Sequence, residues 1–138
     1  MGYYMSILNY YNVQKAIYEK LTANSSLMSA VSGVFDQVPQ DTTFPLVIIG
    51  DIRADNIANL AKNGIEHRIR INVFSREAGK KQTADIMGII EGVLHNNSIN
   101  VSGQTFVSME FIESSIELEN DGRTYQGTID LMIILYSN

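Results

Sequence analysis

Residues 105–119 read as one long β-strand whose apolar positions change phase part-way. Val107, Met109 and Phe111 place odd positions inward, whereas Ile112, Ile116 and Leu118 place even positions inward. A pleated strand cannot exchange faces unless a residue is inserted, so a β-bulge or sharp bend is expected between Phe111 and Ile112. Asn120-Asp121-Gly122 is a strong turn signal, and Tyr125, Ile129, Leu131, Ile133 and Leu135 then form the inward face of a returning strand. Its other face begins polar, with Thr124, Gln126, Thr128 and Asp130, and becomes apolar at Met132, Ile134 and Tyr136. That end is expected to be covered on both sides, by the protein's own helices or by another subunit. Fifteen extended residues span about 50 Å, but a compact chain of 138 residues is only about 37 Å across. Such a hairpin must bend at its bulge or project, and projecting hairpins are natural contacts for a neighbouring chain.

The rest of the chain alternates helical and extended signals. Val13, Ala16, Ile17 and Leu21 recur at helical spacing over residues 12–23, and Asn24-Ser25-Ser26 offers caps for a short helix over 27–31 that stops at Gly33. Val34-Phe35-Asp36 reads as a short strand, and Leu46-Val47-Ile48-Ile49 as a buried one that leaves the core at Asp51, Arg53 and Asp55. Residues 55–64 form a polar hairpin tip ending in Asn63-Gly64, a dipeptide suited to positive φ, and His67, Ile69, Ile71 and Val73 then alternate with Glu66, Arg68, Arg70 and Asn72. A second main helix is expected over 79–96, carrying Ile86, Met87, Ile90, Val93 and Leu94. Gly88 and Gly92 on it suggest close approach to the sheet or a neighbouring helix. The expectation is an α+β fold: an antiparallel, long-hairpin sheet packed on one face by two main helices. It forms a single domain over 1–138, with residues 1–11 as a flexible arm.

Composition narrows the function. Without cysteine there is no disulfide framework, thiolate nucleophile or cysteine-bound zinc or iron–sulfur centre. Ten Lys and Arg against 15 Asp and Glu give −5, which disfavours a protein that grips the phosphate backbone. No apolar run approaches the roughly 20 residues of a membrane span. No lysine or arginine precedes Lys15, so a secretory leader is not expected and the product reads as cytoplasmic.

Catalytic constellations are missing from the sequence. Only His67 and His95 could serve a serine–histidine–acid arrangement, and neither a Gly-x-Ser-x-Gly elbow nor an HExxH pair accompanies them. His67 is expected to pack or hydrogen-bond at the base of its hairpin and His95 to meet the carbonyl end of its helix. Gly79-Lys80-Lys81 lacks the first glycine of a phosphate loop, since Phe74 stands there. Glu110, Glu113, Glu117 and Glu119 make an acidic strand edge, and Arg76, Lys80 and Lys81 the only basic cluster; both read as solvated. No metal or cofactor is expected. Tyr3, Tyr4, Tyr10, Tyr11 and Tyr18 crowd the first eighteen residues, either as packing or as an aromatic patch for a partner.

Several segments in order resemble the tail-completion, or tail-terminator, proteins of long-tailed bacteriophages and gene transfer agents. They are Val34-Phe35-Asp36-Gln37-Val38-Pro39, then Phe44-Pro45-Leu46-Val47-Ile48-Ile49-Gly50, then His67 leading to Val73-Phe74-Ser75-Arg76 and Gly79, and last Asp121-Gly122-Arg123-Thr124-Tyr125-Gln126-Gly127. Phe74-Ser75 stands where that family often has Trp-Ser, and Gln126 where a histidine is common. The likeness runs from about Asn12 to Tyr136. It implies a non-enzymatic virion subunit that forms a ring, usually of six copies, on the head-proximal end of the tail tube. There it ends tube polymerisation and docks to the neck, with DNA passing through the lumen without specific binding. Its implied partners are further copies of itself, the tail tube protein and a neck or head-completion protein. Its implied locations are the host cytoplasm during assembly and then the virion.

Two surfaces are expected to meet those partners: Asp55, Asn56, Ile57, Leu60 and Lys62 at the hairpin tip, and Met132, Ile134 and Tyr136 on the last strand. Ile57 and Leu60 could instead fold back on their own sheet. The acidity is expected to concentrate on the channel wall, away from Arg53, Lys62, Arg68 and Arg70. Competing classes are a neck stopper or head-completion adaptor, and a small-ligand-binding regulatory domain of ferredoxin-like type.

Overall fold

The computed structural model describes residues 8–57 and 63–137. The first helix, α1 (Tyr10–Thr22), starts two residues before the amphipathic pattern does and buries Val13, Ala16, Ile17 and Leu21. Asn9 before it takes a left-handed conformation, and its amide Nδ2 donates to the Ser102 carbonyl at 3.0 Å. The helix start is thereby tied to the loop that precedes residue 104. In α2 (Ser25–Ala30) the Asn24 side chain accepts the Leu27 N–H at 2.8 Å, the cap its sequence foretold.

The strands β1 (Val34–Phe35), β2 (Leu46–Asn56) and β3 (Gly64–Ser75) precede α3 (Lys81–Leu94), and β4 (Gln104–Leu118) and β5 (Tyr125–Ser137) follow it. They form one open sheet in the order β1-β2-β3-β5-β4. Every neighbouring pair is antiparallel except β1 with β2, which run parallel because the link 36–45 carries the chain back before β2 starts. Beyond Asn56 the expected tip loop is shorter than its sequence suggests, since Asp55 and Asn56 still pair with Glu66 and Ile65. Gly64 is a strand residue without positive φ; a Cβ there would lie 3.0 Å from the Tyr136 ring.

Each long hairpin carries a bulge, and the two coincide. In β2 one residue more than in β3 lies between Ile49 and Ile52; in β4 Ile112 is the extra residue between Phe111 and Glu113, where the phase change placed it. Arg70 of β3 and Asp130 of β5 are cross-strand partners at that same level, so both hairpins change course along one line across the sheet. A second bulge in β4, between Phe106 and Ser108, leaves Val107 unpaired.

The helices cover one face. Ile69, Ile71 and Val73 of β3 and Ile129, Leu131, Ile133 and Leu135 of β5 join α1, α2 and α3 in the core. Gly88 and Gly92 do not mediate this packing, because a Cβ on either would meet nothing within 4 Å. The close approach is made from the strand: a Cβ on Gly127 would come within 2.5 Å of Met87 Sδ and 2.9 Å of Thr83 Cγ2. Helical spacing marked the glycines, but the crowded position is the one on β5 that lies under α3.

Candidate assembly surface

Strand alternation sends every second residue of the sheet away from the helices, and no described helix covers that face. Across it run rows such as Arg53, Arg68, Met132 and Glu110, and next Asp55, Glu66, Ile134 and Ser108. Asp55 and Asn56, at the end of β2, and Met132, Ile134 and Tyr136, on β5, therefore meet at one end of the same sheet. Sequence distance had kept these two groups apart. Ile57 follows β2 and is 37% exposed. Leu60 and Lys62 lie outside the described residues. Met132, Ile134 and Tyr136 are half-buried beneath a face without a helical layer, so the expected cover by the protein's own helices is not there.

The charges on this open face are paired along and across strands. Arg70 Nε donates to Asp130 Oδ1 at 2.9 Å and its Nη2 to Asp130 Oδ2 at 3.3 Å; that hydrogen bonding raises the guanidinium pKa further. Arg68 reaches Glu66 at 3.1 Å and Arg53 reaches Asp55 at 3.4 Å. A cleft of about 240 Å³ sits over the line of bulges, lined by Asp51, Arg53, Arg68, Arg70, Glu113 and Asp130 together with Ile112. Opposite the hairpin tip, the link 36–45 folds over the open face: Val38 and Phe44 line one cleft with Leu46 and Phe74, and Arg76 stands 4.0 Å from the Phe44 ring. Arg76 also donates to Thr124 Oγ1, and Lys81 pairs with Asp85 at 2.7 Å, so the basic cluster is dispersed into local contacts.

The turn between β4 and β5 is fastened by Asp121. Its carboxylate accepts from the Thr124 hydroxyl, the Thr124 N–H and the Arg123 N–H, which hold its pKa down at about 2. His67 packs and hydrogen-bonds as expected but elsewhere on its hairpin, and His95 leaves its helix. His67 lies toward the tip of its hairpin, fully buried, with Nε2 bonded to the Leu8 carbonyl and the ring edge-on to Tyr10. Its Nδ1 has no partner, and burial lowers its pKa. His95 turns from its helix to β4: it stacks on Phe111 at 5.6 Å and its Nδ1 accepts the Phe111 N–H at 3.4 Å. Among the described residues no three His, Asp or Glu side chains gather as a metal site.

Edge exposure corrects the strand reading further. Val107, Ile112 and Leu118, assigned inward, are 44%, 41% and 50% exposed. Val107 and Ile112 are the bulged residues themselves, and Leu118 lies on the edge strand where helical cover has ended. On α1, Tyr11 is 73% and Tyr18 43% exposed, so these two tyrosines are surface groups while the helix buries its aliphatic side.

The sequence profile of the family described as tail completion protein gp17 matches residues 15–136. The chain belongs to that family. The family's description as tail completion protein agrees with the resemblance carried by the segments between Val34 and Gly127. Comparison with curated proteins finds no match. Among solved structures, a chain of the virion of a native gene transfer agent particle superposes with a TM-score of 0.88 at 18% identity, covering 96% of this chain and all of that one. The gp17 protein of bacteriophage SPP1 superposes at 0.64 with 22% identity, covering 89% of this chain and 88% of its own. Both share the α+β fold described above.

Proposed function

We propose that this tail-completion subunit caps the head-proximal end of a tail tube as a ring, ends tube polymerisation and forms the joint to the head. The family match over residues 15–136 carries the reading. What supports it physically is a sheet with one face packed by helices and the other left to partners. Asp55, Asn56 and Ile57 at the hairpin tip, with Met132, Ile134 and Tyr136 beside them, form the contact with neighbouring copies or with tube and neck proteins. Leu60 and Lys62 belong to the same proposal. Six copies is the ring size the resemblance implies, and residues 1–138 act in it as one domain.

A DNA channel wall kept clear of Arg53, Arg68 and Arg70 excludes this open face. Arg53, Arg68 and Arg70 are on it, each is bonded to a carboxylate, and Glu110, Glu113 and Glu117 add acid beside them. We assign this face to protein partners and the channel wall to another surface of the ring. Removing the protein during virion assembly tests the role. Overlong tubes and tailless heads are expected; tails of normal length joined to heads would refute it, and normal-length tails left unjoined would indicate a neck adaptor instead.

A further inference from the structure

Each edge of the sheet is closed over half its length by the chain's own residues and bare over the other half, and the two bare halves are at opposite ends. On one edge β1 pairs only with Val47 and Ile48, and among the described residues no strand flanks β2 beyond them. On the other edge the Met109 carbonyl of β4 accepts the Asn96 N–H at 3.0 Å and the Phe111 N–H donates to His95, whereas past the bulge, from Ile112 to Leu118, no backbone partner among the described residues reaches that edge. Because β2, β3, β5 and β4 are successively antiparallel, β2 and β4 run in opposite directions. The bare end of β4 in one copy can thus extend the bare end of β2 in the next as an ordinary antiparallel neighbour.

Side chains select a register. Arg53 and Asp55 of β2, and Glu113, Ser115 and Glu117 of β4, share the open face; Ile52, Ala54, Ser114, Ile116 and Leu118 share the helical face. Any odd shift puts apolar residues opposite charged ones. Of the even registers, setting Arg53 opposite Ser115 would set Asp55 against Glu113, a like-charge pair, and leave Arg53 without an acid. With Arg53 opposite Glu117, Asp55 faces Ser115, Ala54 faces Ile116 and Ile52 faces Leu118. That alignment matches charge on one face and apolar surface on the other, and it covers Leu118, which is 50% exposed in the single chain.

We infer that copies of this chain join by pairing β4 residues 115–118 of one with β2 residues 52–55 of the next, Arg53 opposite Glu117. The contact is head-to-tail, so it closes into a ring or propagates. It rests on the ring reading and supplies that reading with an interface. Because the protein lacks cysteine, Arg53→Cys with Glu117→Cys in the full chain introduces the only thiols, and both sites are surface positions. A short bismaleimide is expected to give a ladder of covalent multimers from the double variant and none from equimolar tests of either single variant alone. As an independent arm, Arg53→Glu or Glu117→Arg should each weaken self-association about tenfold, and the charge-swapped double should recover most of it. A multimer of wild-type size without cross-links, and indifferent to the charge swap, overturns the strand pairing and leaves the ring. A monomer at every concentration, without cross-links, overturns both.

Discussion

The two faces of the sheet are built to different standards. On the helical face, Ile129, Leu131, Ile133 and Leu135 of β5 are at most 2% exposed and pack against three helices. On the open face, their sequence neighbours Met132, Ile134 and Tyr136 are half-buried and lie among ion pairs. Burial on the first face stabilises the subunit, because each aliphatic side chain removed from water contributes roughly 1.5–3 kcal/mol. Exposed ion pairs on the second contribute on the order of 1 kcal/mol or less. The difference separates folding from assembly along a single strand, residue by residue.

Substitutions sort by face if this is correct. The largest effect is expected from Leu131→Ala, a cavity at the centre of the helical face that should cost about 2–5 kcal/mol in chemical denaturation. Gly127→Leu should come next, at about 1–3 kcal/mol, since the added side chain collides with Met87 and Thr83 beneath α3. A loss in either case comparable to that of an open-face change would erase the distinction.

His67 sharpens it further, because it is a titratable group on the buried face. Its folded-state pKa lies below the ordinary 6.5, so the fold favours the neutral ring. That contribution is complete above about pH 6.5 and is lost progressively as pH falls below it, while the unfolded chain takes up the proton more readily. Denaturation midpoints measured between pH 8 and pH 5 should fall in the wild type and show a shallower slope in His67→Gln. Equal slopes would mean that another group governs the acid limb. The smallest effect on subunit stability, about 1 kcal/mol or less, is expected from Met132→Ser with Ile134→Ser on the open face.

The elements were legible in the sequence because their signals are local. The spacing of Val13, Ala16, Ile17 and Leu21, the Asn24 cap and the phase change at Ile112 each depend on a few neighbouring residues. What the sequence did not reveal depends on partners distant in the chain. Gly127 is crowded only because α3 crosses it, and Gly88 and Gly92 are bare because the helix presents its other side to the sheet. The parallel pairing of β1 and the coincidence of the two bulges at Arg70 and Asp130 follow from strand order, which alternation does not encode. The candidate surface was half legible. Met132, Ile134 and Tyr136 stood out as apolar residues on an outward face, but their meeting with Asp55 and Asn56 required the register of three strands.

The most direct test of a face reserved for assembly is whether the Met132→Ser, Ile134→Ser double variant supports virion assembly, with its folding verified by circular dichroism. A folded variant that leaves tails unjoined to heads is the predicted result. Tails of normal length joined to heads by the folded variant would contradict the account.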